Sequence, residues 1–335
     1  MKKKVMAVFL ISIISLLIFG CGSSGGEKTG NLSKVVRIGF PGTQNFLGGV
    51  AGIAQEKKYI EDEFQKIGYT VEYKPFAAAG PAVNEALASK EIDIAIYADF
   101  PGILSKSRGI ETSLIGIADN YVNSAILVNL DSNITSVKDL KGKKIGFIKG
   151  TYMQKYLYQI LESNDIKQSD VELINTSDGN SALQGGTIDA LVTTDTEEGV
   201  QVLTKKLART LDTSKDHPES SAQSIVIGAT KYLNENKEVG IALQKALLRG
   251  KEFMISNTDE AYSLLTKSGI DKETSKVLYG KDNGKFEYVS LDINEESKKK
   301  LNESKKFMLD NKLISKDFDI NEWSDNSFYK EANKS

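Results

Sequence analysis

Three loops combine glycine with small polar residues where a strand is predicted to end and a helix to begin. They are Gly42-Thr43-Gln44-Asn45, Ala78-Ala79-Gly80-Pro81 and Gly150-Thr151-Tyr152. The first turn of a helix presents unpaired backbone N–H groups and the positive end of the helix dipole. Three such helix starts around one cleft would hold an oxyanion, such as a sulfonate or a carboxylate, without an arginine. A purely structural turn is the alternative for each loop.

Two aspartates follow predicted strands at matching places in the chain, Asp99 and Asp195. Open α/β sheets bind ligands at the carboxyl ends of their strands, so we expect both acids near a ligand. They could act as an acid/base pair, accept hydrogen bonds from a ligand amine, or cap the following helix. Phe100 and Asn123 are candidates for the polar and aromatic lining of the same cleft, with core packing as the alternative for the phenylalanine.

Other chemistry is scarce in this sequence. Cys21 is the only cysteine and His217 the only histidine, so disulfides, cysteine zinc sites and histidine clusters are excluded. The sequence contains no P-loop, no Gly-x-Ser-x-Gly elbow and no His-Glu-x-x-His motif. We therefore expect no catalytic residues, no metal and no other cofactor. The formal charge is −2 and the sequence shows no basic block, which argues against a nucleic-acid partner.

The N-terminus carries an export signal. Lys2, Lys3 and Lys4 precede an apolar run from Val5 to Phe19, which is typical of a signal peptide and short for a membrane span. The residues just before Cys21 resemble a bacterial lipobox, in which the cysteine is diacylated and becomes the mature N-terminus. The sequence thus predicts a lipoprotein signal peptide over residues 1–20 and a flexible Gly/Ser-rich tether over residues 21–34.

Short apolar strands alternate with helices through the rest of the chain, which predicts βαβ units around mostly parallel sheets. Phe46–Ile67 has helical spacing, and residues after Lys231 are almost wholly helical. One pattern occurs twice in the sequence. A predicted strand, near Arg37 in the first copy and near Lys144 in the second, is followed later in the chain by Ala-Leu, then by four other residues, and then by Ile-Asp. The two copies predict two lobes of related architecture, with chance similarity as the alternative.

The chain resembles the substrate-binding lipoproteins of ABC importers in the nitrate, sulfonate and taurine group, which are related to thiamine-precursor synthases. Residues 86–95 match that family's Ala-Leu-x-x-Gly-x-Ile-Asp pattern except for Lys90, and residues 136–145 match its Ser-Val-x-Asp-Leu-Lys-Gly-Lys-x-Ile signature. Lys149-Gly150-Thr151 stands where the family has Lys-Gly-Ser/Thr. Asp195 lacks the usual flanking tryptophan and proline, and the cysteines and histidines of the synthases are absent.

The resemblance implies an α/β, type II periplasmic-binding fold with a ligand cleft between two lobes. It places residues 35–126 and 226–335 in lobe 1 and residues 127–225 in lobe 2. The expected function is capture of a small organic anion, sulfonate or taurine-like first, and its delivery to a membrane permease. We expect a monomer, held by Cys21 on the outer face of the cell membrane. A ligand-sensing receptor subunit and an enzyme acting on a small metabolite are the alternatives.

The residues expected to bind the ligand come from the three loops, the two aspartates and the cleft lining: Thr43, Gln44, Asn45, Ala79, Gly80, Asp99, Phe100, Asn123, Gly150, Thr151, Tyr152 and Asp195.

Overall fold

The computed structural model describes residues 34–280 and 284–334. The predicted signal peptide, Cys21 and the predicted tether up to residue 33 lie outside the described residues. Within the described part, the strands form two five-stranded sheets with helices packed around them. The α/β class predicted from the alternation of strands and helices is confirmed.

The two sheets share one topology. The first contains β1 (Lys34–Pro41), β2 (Tyr69–Phe76), β3 (Ile94–Ala98), β4 (Thr112–Val122) and β10 (Ala222–Ala229), in the order β2-β1-β3-β10-β4. The second contains β5 (Ser124–Asn129), β6 (Lys144–Phe147), β7 (Glu172–Asn175), β8 (Ala190–Thr194) and β9 (Ala208–Thr213), in the order β7-β6-β8-β5-β9. In each sheet the fourth strand in this order is antiparallel to both of its neighbours. We call the part of the chain built on each sheet the first and the second lobe.

The helices are α1 (Gly49–Glu56), α2 (Tyr59–Lys66), α3 (Ala79–Ala88), α4 (Asp99–Ser107), α5 (Tyr152–Ser163), α6 (Gly179–Gln184), α7 (Asp195–Glu198), α8 (Thr230–Glu235), α9 (Lys237–Ser256), α10 (Thr258–Leu265), α11 (Lys272–Tyr279), α12 (Glu295–Asp310), α13 (Ile320–Trp323) and α14 (Ser327–Ala332). The helix-rich C-terminal part is confirmed. The single helix predicted over residues 46–67 is wrong, because it begins only at Gly49 and is broken by Lys58 in a left-handed conformation. No helix in the described ranges is both long and apolar enough to cross a bilayer.

The predicted repeat has a structural basis. Asp93 Oδ2 accepts the backbone N–H of Arg37 at 2.9 Å, and Asp189 Oδ2 accepts that of Lys144 at 2.8 Å. Each aspartate thereby ties the strand that follows it to the neighbouring parallel strand of its sheet, β3 to β1 and β8 to β6. The two copies of the pattern are equivalent parts of two similarly built lobes.

The chain changes sheet at two points. Asn123 separates β4 from β5, and residues 214–221 separate β9 from β10. One core cluster continues from the first sheet into the second and includes Ile103 of α4, Tyr156 of α5 and Leu301 of α12. A second cluster lies between the first sheet and α1, α2 and α9. The two lobes are thus packed together around α4, α5 and α12, with the site described below on their shared border.

Candidate functional site

A cavity of about 280 Å³ is bordered by elements of both lobes. Ala98 at the end of β3 and Asp119 of β4 line it from the first lobe, and Thr194 at the end of β8 lines it from the second. Its size is at the lower end for sites that hold small molecules. The carboxyl ends of strands are where open α/β sheets bind ligands, so this cavity is the candidate site.

Three helices begin at the cavity. Gly49 at the start of α1, Gly80 in the first turn of α3 and Thr151 just before α5 all line it. The residue just before each of these helices makes no side-chain hydrogen bond to the helix's first backbone N–H groups, although the Gly49 N–H of α1 donates to the Tyr279 hydroxyl. The starts of three helices, where the helix dipoles are positive, therefore lie at one cavity, which favours a negatively charged group there.

Two carboxylates also line the cavity, one from each lobe. Asp119 Oδ1 accepts the backbone N–H of Tyr121 at 3.0 Å, and its Oδ2 would lie 3.6 Å from a Cβ added at Gly49. Asp195, the first residue of α7, has its pKa raised to about 6, mainly by burial, while Lys215 acts to lower it. A carboxylate with so high a pKa is poorly solvated and gains from a cationic or hydrogen-donating partner.

Tyrosines form much of the remaining wall. Tyr121 and Tyr288 contact each other edge to face, with ring centroids 6.1 Å apart, and Tyr152 and Tyr279 line the cavity beside them. Burial raises the pKa of the Tyr152 and Tyr279 phenols, and the Asp195 carboxylate raises both further. These hydroxyl groups therefore stay protonated and can donate hydrogen bonds, while the rings offer flat apolar surface.

Asn123 lies at one of the two connections between the lobes and is hydrogen-bonded to the other. Its Oδ1 accepts hydrogen bonds from Ser214 Oγ at 3.2 Å and Ser221 Oγ at 2.7 Å, at the two ends of the second chain crossing. Its carbonyl oxygen accepts the backbone N–H of Asp195 at 3.1 Å. Asn123 thus fixes the position of Asp195 at the point where both connections between the lobes meet.

Six of the predicted site residues line this cavity: Ala79, Gly80, Asn123, Thr151, Tyr152 and Asp195. Thr43, Gln44 and Asn45 do not, because α1 begins four residues later than their loop and leaves them exposed. Phe100 and Gly150 line a different, more open cavity of about 620 Å³.

Asp99 points away from the candidate site. It is buried, and its Oδ2 accepts a hydrogen bond from Ser304 Oγ of α12 at 3.2 Å, while Lys155 Nζ of α5 lies 3.3 Å from the same Oγ. Burial raises the pKa of Asp99 and lowers that of Lys155, and each charge partly offsets the effect on the other. This side chain belongs to the packing between α4, α5 and α12.

Several cavity residues were missed from the sequence, namely Gly48, Gly49, Asp119, Thr196, Tyr279 and Tyr288. The Gly48-Gly49 pair before an apolar run was a usable signal for a helix start. The lone His217 does not line the cavity; its Nε2 lies 3.2 Å from Asp212 Oδ1. In the described ranges, no group of three His, Cys, Asp or Glu side chains is placed to hold a metal ion.

Comparison with known proteins identifies the family of this chain. The model of the family described as NMT1/THI5 like matches residues 51–261. A Bacillus subtilis (strain 168) protein, named for binding aliphatic sulfonates, is 29% identical over 329 residues, which cover 97% of this chain and 96% of that protein.

Two solved structures show the same fold. One is a protein of Methylobacillus flagellatus KT named as a periplasmic sulfonate-binding protein, with 22% identity, a TM-score of 0.72 and coverage of 90% of this chain and 94% of that one. The other is the desulfurization enzyme DSZB, with 16% identity, a TM-score of 0.69 and coverage of 90% and 99%. The predicted type II periplasmic-binding fold of two α/β lobes is thereby confirmed.

Proposed function

Because this chain belongs to the NMT1/THI5-like family, we propose that it is the solute-binding component of an ABC importer. It captures a small organic anion, with an aliphatic sulfonate first among the candidates, and delivers it to a membrane permease. The name of the Bacillus subtilis relative, which aligns along nearly the whole chain, supports the sulfonate.

The observation that carries the proposal is the meeting of three helix starts at one cavity. The first turns of α1, α3 and α5, whose N-cap side chains make no capping hydrogen bond, supply backbone N–H donors and positive dipole ends from both lobes. A sulfonate has three acceptor oxygens and one delocalised charge, so it can accept hydrogen bonds from several helix starts together. No side chain has to supply the positive charge in this arrangement.

Capture is coupled to closure of the lobes. The two lobes correspond to the two sheets, and the proposed hinge consists of Asn123 and residues 214–221, where the chain changes sheet. A ligand that contacts Gly80 of the first lobe and Thr151 of the second makes both contacts only in the closed form. Binding therefore shifts the equilibrium toward that form, whose surface the permease recognises.

The proposed location is the outer face of the cell membrane. Cys21 is the proposed anchor, and the residues between it and β1 form a tether that keeps a monomeric binding protein close to its permease. One acyl chain gives only marginal retention, so the proposal requires a diacylated cysteine.

A thermal-shift screen tests the proposed function. The purified chain from residue 22 onward is heated with aliphatic sulfonates, nitrate, carboxylates and pyrimidines. A ligand present at about 100 times its Kd adds about 2.7 kcal/mol to the free energy of unfolding, which raises Tm by several degrees. We expect a sulfonate to give the largest shift. The proposal fails if no anion in the panel raises Tm.

An enzyme acting on a small metabolite is a second candidate, favoured by the likeness in fold to the enzyme DSZB. The described residues contain no cysteine, and His217 lies outside the cavity. Mass spectrometry of a compound incubated with the protein separates the two functions. A binding protein releases the compound unchanged on denaturation, whereas an enzyme converts more than one equivalent.

A further inference from the structure

Helix α11 is attached to the first lobe but also lies against the second. On the first-lobe side it packs on α10, where Ser275 Oγ donates to the carbonyl oxygen of Tyr262 at 3.0 Å, and α10 shares a core cluster with α1. On its other side α11 contacts residues Gly199–Thr204, which follow α7 in the second lobe. The lobes therefore touch at a place that is separate from the two connections of the chain.

The second-lobe side of this contact has an unusual local structure. Residues Gly199–Thr204 form a π-helical turn, in which the Lys205 N–H donates to the carbonyl oxygen of Val200 at 2.8 Å. In an α-helix, residues five apart lie about 140° apart around the axis, whereas a turn closed by this longer bond brings them toward one face. The π turn thus allows both Gly199 and Thr204 to contact α11.

The contact is tightly packed at one end and hydrogen-bonded at the other. A Cβ added at Gly199 would lie 2.7 Å from Thr274 Cγ2 and 3.1 Å from Leu278 Cδ1, so any larger residue would have to displace one of them. Thr204 Oγ1 donates to Asp271 Oδ2 at 3.0 Å and lies 3.4 Å from Thr274 Oγ1. Asp271 also accepts the Thr274 N–H at 2.7 Å as the N-cap of α11, so the bond from Thr204 ends on the first turn of that helix.

The two elements that meet here also form part of the cavity wall. Leu278 of α11 and Thr196 of α7 line the cavity, whereas Gly199, Thr204 and Thr274 do not. Separation of α11 from the π turn would therefore move two pieces of the wall apart. The residues of the contact act on the cavity without lining it themselves.

We propose that Gly199, Thr204 and Thr274 form a clasp that holds the two lobes closed and sets the affinity for every ligand of the cavity. This inference rests on the proposed function and adds to it the contact that decides what fraction of the protein is closed. The measured Kd equals the Kd of the closed form divided by the closed fraction, so loss of the clasp weakens all ligands by one common factor. A residue that touches the ligand changes the affinities for different ligands by different factors.

A disulfide across the clasp tests whether release requires it to open. In the chain from residue 22 onward, Thr204→Cys and Thr274→Cys introduce the only two cysteines, at hydroxyl positions 3.4 Å apart. The protein is oxidised with the isotope-labelled sulfonate that gives the largest thermal shift, and release into excess unlabelled sulfonate is followed by rapid filtration. We expect release at least tenfold slower than from the same protein reduced with dithiothreitol, and no such difference for Thr204→Cys alone. Equal rates, or no disulfide by mass spectrometry, would overturn the inference.

A second variant measures the contribution of the clasp to affinity. Gly199→Ala places a methyl group in the packed contact, and calorimetric titration should show Kd raised about fivefold or more, by the same factor for at least two different ligands. Thr187→Ala, at an exposed position of the same lobe, should leave both values unchanged. Unchanged affinities in folded Gly199→Ala, or different factors for different ligands, would overturn the clasp.

The outcomes separate this inference from the proposed function. If sulfonates bind but neither the slowed release nor the common factor is observed, the chain remains a sulfonate-binding protein and only the clasp is overturned. If no anion in the thermal-shift panel binds the wild type, both are overturned.

Discussion

Replacement of Asp195 by asparagine should stabilise the ligand-free protein while impairing its site. The carboxylate lies on the cavity wall at the start of α7, and burial is the largest cause of its raised pKa. Asparagine has nearly the same shape and keeps an oxygen for the backbone N–H of Thr196, but it carries no charge. The substitution therefore removes a desolvated charge from the cavity wall with little change in packing.

The magnitude follows from the pKa. A carboxyl group with a pKa of about 6 in the folded protein and about 3.9 in the unfolded chain binds more protons when folded. The free energy of unfolding of the wild type therefore falls as pH rises from about 4 to about 6. Two units of pKa correspond to a loss of about 3 kcal/mol, complete by pH 7. The asparagine variant has no such carboxyl group, so its free energy of unfolding does not show this decrease.

Urea denaturation of both proteins between pH 4 and pH 7.5 measures the effect. The difference in unfolding free energy, variant minus wild type, should increase by about 2 to 3 kcal/mol over that range. Subtraction removes the contribution of other acids that titrate in both proteins. A difference that does not change with pH would refute the reasoning, because it would mean that the Asp195 carboxylate is fully solvated in the ligand-free protein.

Three further predictions concern the hinge, the repeat and the anchor. Asn123→Ala removes the acceptor of two buried serine hydroxyls and should lower the unfolding free energy by about 1 to 3 kcal/mol in urea denaturation; no loss would contradict its role in joining the connections. Asp93→Asn breaks a two-point pair with the Arg37 guanidinium (2.7 and 2.9 Å) and should lower the unfolding free energy by about 1 to 3 kcal/mol. Asp189 lies at the equivalent position in the second lobe but is exposed, so Asp189→Asn should lower it by less than about 1 kcal/mol. Equal losses in the two variants would refute this difference. Cys21→Ser should move the protein from the membrane to the soluble fraction with unchanged ligand affinity, and a variant that still sediments with membranes would exclude lipid anchoring.

The fold was predictable because its signals are local and occur twice. The Ile-Asp pair at the start of β3 and of β8 lies where each aspartate can bond the neighbouring strand, and strand-to-helix alternation does not depend on distant residues. The N-terminal helices were less predictable. Their apolar spacing is continuous across Lys58, where the helix is interrupted. The left-handed conformation of Lys58 could not be predicted, because lysine has no preference for it.

The site was harder to predict because it depends on which way side chains point. Asp99 and Asp195 occupy equivalent positions after equivalent strands, yet α12 and α5 cover the first whereas the second faces the cavity. Asp119 lies beside a register shift between β4 and β10, and such a bulge changes the direction of a side chain. The directions in which these side chains point are set by tertiary packing, which cannot be predicted from the spacing of residues in the sequence.

Calorimetric titration of a cavity-blocked variant tests the central claim most directly. Thr196→Trp places a large side chain on the cavity wall, and Thr187→Trp adds the same side chain at an exposed position of the same lobe. With the sulfonate that gives the largest thermal shift, the wild type and Thr187→Trp should bind one equivalent with equal affinity, and Thr196→Trp should show no binding. Unchanged binding by a folded Thr196→Trp would contradict the account, because the ligand would then occupy another site.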